Sequence, residues 1–102
     1  MATNRIKFSK QAKNDFVEIV NFISLNNPKN AKQFKDKLIQ KCKDILVFPN
    51  SGRLVPELNQ TTFREIIYKG YRIVYILSHN DIIILTIFNG RKLLDPDLLE
   101  EN

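Results

Sequence analysis

Residues 63–91 read FREIIYKGYRIVYILSHNDIIILTIFNGR, and the reading of this stretch decides the fold. Three runs rich in Ile, Val, Tyr, Phe and Leu, at 63–68, 71–78 and 82–88, have the composition of strands, because β-branched and aromatic side chains fit a pleated, half-buried surface. Lys69-Gly70 and the group His79-Asn80-Asp81 separate them, and such short separators fold successive strands back on one another. The simplest topology is a three-stranded antiparallel meander. The same stretch places Arg64 and Arg72 within strands and Arg91 at a strand end. A guanidinium is a planar fork of donors that keeps its charge, so three of them on a sheet suit phosphate or carboxylate binding. The blander alternative is that each solvates an open face or pairs with a nearby acid such as Glu65.

Whether two of these arginines share a face depends on one turn. If Lys69-Gly70 alone makes it, Ile67 pairs with Arg72 and Arg64 faces away from Arg72. If Tyr68-Lys69-Gly70 forms a three-residue loop, Arg64 pairs with Val74 and joins Arg72 on one side. One loop residue separates a shared basic groove from two separate charges.

Upstream, R-I-K-F at 5–8 alternates like a short strand that buries Ile6 and Phe8. Ser9 offers a helix N-cap, and Ala12, Phe16, Ile19, Val20 and Ile23 follow at helical spacing. Asn27 and Pro28 cap and open a second helix, whose apolar stripe is Ala31, Phe34, Leu38, Cys42 and Ile45. The short link implies an antiparallel helical hairpin. Its outer surface carries Lys29, Lys32, Lys35, Lys37, Lys41 and Lys43. F-P-N-S-G at 48–52 ends the second helix, and Pro56 is expected to keep the stretch that follows irregular. Leu93, Leu94, Leu98 and Leu99 are broken by Pro96, so 92–102 is expected to be a partly ordered tail. Together these elements predict one α+β domain over 1–102: an N-terminal strand, then the helical hairpin, then the meander. The helices lie on one face of the sheet and the other face is left partly open.

A chain of 102 residues with 43% hydrophobic and 26% charged residues has room for one small core. Sixteen Lys and Arg against 11 Asp and Glu give a net charge of +5, which favours polyanions or acidic proteins as partners. Cys42 is the only cysteine, which excludes an internal disulfide and argues against a zinc site. It reads as a packing residue, and no metal or cofactor is expected. His79 reads as a solvated turn residue. Asp95, Asp97, Glu100 and Glu101 lack the spacing of a metal site and read as solvation of the tail. The longest apolar run, around 82–88, is far shorter than the roughly 20 residues of a membrane span. MATNRIKFSKQ has no apolar signal core, so no membrane association and a cytoplasmic location are expected.

Four motifs, FPNSGRLVPEL at 48–58, FREII at 63–67, YRIVY at 71–75 and FNGR at 88–91, together resemble the RelE/ParE toxin superfamily of bacterial type II toxin–antitoxin and plasmid stabilisation systems. The resemblance covers nearly the whole chain, and the Pro-x-x-Gly-Arg loop looks more like the ParE branch. It implies a small toxin held by a cognate antitoxin, with DNA gyrase as target in ParE-like members. The RelE-like alternative is an mRNA endoribonuclease (an mRNA interferase) acting on the ribosome. A second alternative is a degenerate toxin that only binds its antitoxin. In that comparison Arg72 and Arg91 occupy the positions of phosphate-gripping, catalytic arginines, and Arg64 that of a basic strand residue. Asn89 stands where many relatives carry His, Ile66 where a second basic residue is expected, and the tail has no counterpart of the late tyrosine. A 2′-hydroxyl attack on phosphate needs groups that take and give protons, and these are mostly missing. Arg64, Arg72, Arg91 and Asn89 are therefore expected to bind an anion or a target, whether or not they cut RNA.

Overall fold

One residue joins the two helices. In the computed structural model, which describes residues 5–58 and 62–90, α1 (Lys10–Asn26) and α2 (Pro28–Val47) are separated by Asn27 alone. Its backbone N–H donates to Ile23 O at 3.1 Å and closes α1, while its side-chain oxygen accepts from the N–H groups of Lys29 and Asn30 at 3.1 and 3.2 Å. Pro28, at the first helical position, gives up no hydrogen bond. Ser9 caps α1 by accepting from the Ala12 N–H at 3.1 Å. The whole apolar stripe of α2 expected from the spacing is buried.

The strands are β1 (Ile6–Phe8), β2 (Arg53–Leu54), β3 (Arg64–Tyr68), β4 (Tyr71–Ser78) and β5 (Asp81–Asn89), in the order β1-β5-β4-β3-β2. The antiparallel meander is present as β3–β4–β5, but it is the middle of a larger mixed sheet. β1 joins β5 in parallel, with Ile6 opposite Ile82. On the far edge, part of the stretch expected to be irregular forms β2, with Arg53 opposite Glu65. A two-residue strand has no periodicity to read, and tertiary pairing creates it. The tail at 92–102 and Arg91 lie outside the described residues.

Both hairpins turn on two residues with positive φ. Lys69 (52°) and Gly70 (82°) link β3 to β4, and His79 (52°) and Asn80 (67°) link β4 to β5. Such turns match the right-handed twist of the flanking strands. Tyr68 therefore pairs with Tyr71, Ile67 with Arg72, and Arg64 with Tyr75. Arg64 and Arg72 lie on opposite faces.

The helix-side face carries the main core, in which Ile73, Tyr75, Ile82, Ile84 and Ile87 pack with the α2 stripe. The second face, expected to be partly open, is covered in part by its own cluster. Val55 and Leu58, just after β2, pack there with Phe63, Val74 and Phe88.

A β-bulge fixes α1 on this sheet. The pairing shifts from Val74–Thr86 to Tyr75–Ile84, which leaves Leu85 as the extra residue on β5. A bulge removes ladder partners, and buried backbone groups must find others. Ser9 Oγ donates to Leu85 O at 2.8 Å. Asp15 Oδ2 accepts from the Ile87 N–H at 3.0 Å and from the Thr86 hydroxyl at 2.6 Å.

Tyr75 anchors the loop after α2 in the same way. Its buried hydroxyl donates to Pro49 O at 2.8 Å and accepts from the Gly52 N–H at 3.0 Å. A Cβ on Gly52 would stand 2.6 Å from that hydroxyl and 2.8 Å from Glu65 O, so only glycine fits.

Tyr75→Phe removes both hydrogen bonds and is expected to lower stability by roughly 1–3 kcal/mol. Gly52→Ala is expected to cost about 1–3 kcal/mol through overpacking. Urea unfolding measures both as a lower midpoint at constant slope; an unmoved midpoint in either variant would show that the contact is not stabilising. Burial pushes the Cys42 thiol up to about 12. Alkylating reagents at mildly alkaline pH are therefore expected to spare Cys42 in the folded chain and modify it after unfolding, which mass spectrometry reads directly.

Candidate functional site

On the sheet face away from the helices, Arg72 is almost fully buried, and the fold supplies its counter-charges from two separate segments. Its Nη1 and Nη2 each donate to one oxygen of Glu57 at 2.6 Å, a bidentate pair from the loop after β2. Its Nε donates to Glu65 Oε1 at 2.7 Å from the neighbouring strand β3. The second oxygen of Glu65 accepts from Arg53 Nε on β2 at 2.6 Å. Glu65 is buried, whereas the Arg53 side chain is 55% exposed. Phe88 closes the cluster, with its ring centroid 4.8 Å from the Arg72 guanidinium carbon. Hydrogen bonding to Glu57 raises the Arg72 pKa further above its ordinary range, against the lowering effect of burial. Arg72 therefore stays charged at every physiological pH, and its charge is matched within the fold.

The residues singled out in the sequence are spread apart by this arrangement. Arg64, on the helix side, donates from Nη1 to Gly52 O at 2.7 Å and to Asn50 O at 3.3 Å, and so holds the loop that follows α2. Asn89 is exposed at the end of β5, opposite Tyr71. Arg91 lies outside the described residues. Arg72 and Asn89 do share the lining of a groove of about 440 Å³ with Arg53, Lys69 and Ile67. The end of β5 packs against the β3–β4 turn there. Gly90 N–H donates to Gly70 O at 2.7 Å, and a Cβ on Gly90 would lie 2.7 Å from that same oxygen.

Arg53, Glu57 and Lys69 are the members of this region that sequence reasoning did not single out. Glu57 comes from a stretch with no helical or strand period, so only its closeness to an arginine across the sheet reveals it, whereas Arg53 had a signal as the last residue of the Pro-x-x-Gly-Arg motif. Glu65 had a readable signal, an acid in a strand next to basic residues. Its partners, however, are Arg53 and Arg72 from the strands on either side, not the adjacent Arg64.

Chemically, the face offers an exposed guanidinium edge at Arg53 and an ammonium at Lys69 beside the apolar Ile67. This set can hold an anionic group of a partner. It has no member that exchanges protons near neutrality, since His79 lies at the opposite end of β4, about 23 Å from Arg72 at ~3.3 Å per residue. Among the described residues there is no cluster of His, Cys, Asp or Glu able to hold a metal ion. No described helix is long and apolar enough to cross a membrane.

Removing one member of a buried ion pair leaves the other charge without compensation. Arg72→Ala or Glu65→Ala is expected to cost about 3–5 kcal/mol in urea unfolding, and the double variant Glu65→Ala/Arg72→Ala much less than the sum. Additive losses in that cycle would show that the two side chains are not coupled.

A family model described as the ParE toxin of type II toxin–antitoxin systems, parDE, matches residues 6–94. No curated protein matches the chain. A solved structure of the chromosomal ParDE toxin–antitoxin system from P. aeruginosa contains a chain that superposes with a TM-score of 0.69 at 18% identity. The match covers 85% of this chain and 96% of that one, and it is a likeness of fold. The family match runs from β1 through the helical hairpin, the arginine cluster and the end of the sheet, so this chain belongs to the ParE toxin family of type II toxin–antitoxin systems.

Proposed function

We propose that the chain is a toxin that stops growth by binding a protein target in the cytoplasm, with DNA gyrase as the expected target, and that a cognate antitoxin neutralises it. The observation that carries this reading is the state of Arg72. A nuclease needs a guanidinium aimed at the scissile phosphate, and here both terminal nitrogens of Arg72 grip Glu57 at 2.6 Å. The missing proton-transfer groups point the same way, because transition-state charge stabilisation alone does not move the proton of a 2′-hydroxyl. Binding a protein needs only a shaped, charged and partly apolar surface. The groove of Arg53, Lys69, Asn89 and Ile67 supplies one, and the net charge of +5 favours an acidic patch on the partner.

Purified protein is expected to inhibit DNA supercoiling by gyrase, and adding the antitoxin is expected to restore it. Arg53→Glu with Lys69→Glu is expected to weaken inhibition at least about tenfold, or ~1.4 kcal/mol. Supercoiling unaffected by the wild-type chain would reject gyrase as target. Primer extension on translated messages is expected to show no new ends, and reproducible new ends produced by the wild-type chain would favour the RelE-like endoribonuclease instead.

A further inference from the structure

One edge of the sheet ends in β2, a strand too short to cover β3. β2 pairs with it at two positions, where Arg53 stands opposite Glu65 and Leu54 opposite Arg64. Just before β3, Phe63 O accepts from the Val55 N–H at 3.2 Å. Backbone groups that face one edge of an antiparallel strand recur every second residue, so after Phe63 and Glu65 the next outward N–H and C=O belong to Ile67. No described strand stands opposite Ile67 on that side. The loop before β2 explains the gap. Arg64 holds the carbonyls of Asn50 and Gly52, and the Tyr75 hydroxyl holds Pro49 O and the Gly52 N–H, so the chain is drawn to the helix side instead of running on beside Ile67. What remains at the edge is a concavity of about 450 Å³, lined by Ser51 and Arg53, by Ile66 and the half-exposed Ile67, and by Lys41 of α2.

We propose that this stretch of β3 receives an extended acidic segment of another protein, which pairs with the backbone of Ile67 and adds a strand to the sheet in line with β2. An open edge carries the donors and acceptors for such addition ready-made. Charge decides the occupant. Arg53, Lys41 and Lys69 surround the edge, and neither lysine belongs to an ion pair among the described residues. The two acids that line the concavity are engaged: Asp44 accepts from Gln40 at 3.1 Å, and Glu65 is shared by Arg53 and Arg72. A second copy of this chain would bring the same cations to the edge and be repelled, whereas carboxylates are attracted. The pleat sets the pattern of the incoming segment. Its acidic residues lie on the face of Arg53 and Lys69, and the alternate, apolar ones turn to the helix side, against Ile66 and the stem of Lys41. The strand site shares Arg53 and Ile67 with the groove assigned above to a protein partner, and it rests on that reading for the class of partner.

The probe is a capped heptapeptide of alternating glutamate and valine, and the readout is amide hydrogen exchange of the full chain by nuclear magnetic resonance. In the free chain the Ile67 N–H is expected to exchange fast beside the protected Ile66, and saturating peptide is expected to slow it at least about tenfold. N-methylation of the peptide's glutamates, or of its valines, blocks one edge each. One of these two peptides is expected to bind at least about tenfold more weakly than the other. Ile67→Pro removes the outward N–H and spares the ladder to β4, so it is expected to abolish binding with the amide spectrum of β5 retained. Fast exchange at Ile67 in the peptide complex, equal binding by both N-methylated peptides, or no binding at all would overturn the proposal. So would an Ile67 amide already protected in the free chain, or protected only as the chain is concentrated, since the edge would then be filled by this chain itself or by a second copy. Failure of the strand site with gyrase still inhibited rejects this proposal alone, whereas protection of Ile67 with supercoiling unaffected rejects gyrase alone.

Discussion

A guanidinium in the middle strand of a sheet covered on both faces must be neutralised where it stands, and much of the second face follows from that requirement. Arg72 is almost fully buried, so two carboxylates come to it: Glu65 from the adjacent strand and Glu57 from the loop after β2. Bringing Glu57 there places Val55 and Leu58 over Val74 and Phe88, which builds a small second core. Glu65, buried in turn, needs a partner for its other oxygen and receives Arg53. The pairing of β2 with β3 places those two residues opposite each other. One buried cation thus orders a segment that has little regular structure of its own. The arrangement stabilises only as a set, since isolated buried charges cost more than they return.

The helix side depends on a different device, a defect in the β4–β5 ladder. The Leu85 bulge frees backbone groups that α1 then satisfies through Ser9 and Asp15. Hydrogen bonds of defined length fix where α1 sits, whereas apolar contact alone would let it slide. Tyr75 does the same for the loop after α2, with Gly52 bare beneath its hydroxyl. These contacts position Arg64 against the carbonyls of Asn50 and Gly52, a structural use for a side chain that the motif alone would assign to a ligand.

The consequence for function is a division between internal and surface charge. Arg72 and Glu65 are held within the fold, while Arg53, Lys69 and Asn89 face a groove open to a partner. A second concavity, lined by Phe34, Lys37, Lys41 and Tyr68, lies on the helix side of the sheet, and it adjoins the first at the β3–β4 turn, where Lys69 and Tyr71 line both.

Local rules wrote most of the framework into the sequence. The periodic stripes of both helices, the Ser9 and Asn27 caps, and the three long strands with their short separators could be read in advance, because each depends on residues close along the chain. The turn between β3 and β4 was readable as two alternatives, and its two-residue form placed Arg64 and Arg72 on opposite faces. The parallel docking of β1 and the existence of β2 required partners far along the chain, which no local period encodes. The site shows the same contrast. Sequence named the arginines as a charged set, since residue type and motif are local properties. Only the tertiary structure decided that Arg72 is gripped by Glu57, 15 positions away, because the partner of a charge is chosen by distance in space and by exclusion of water.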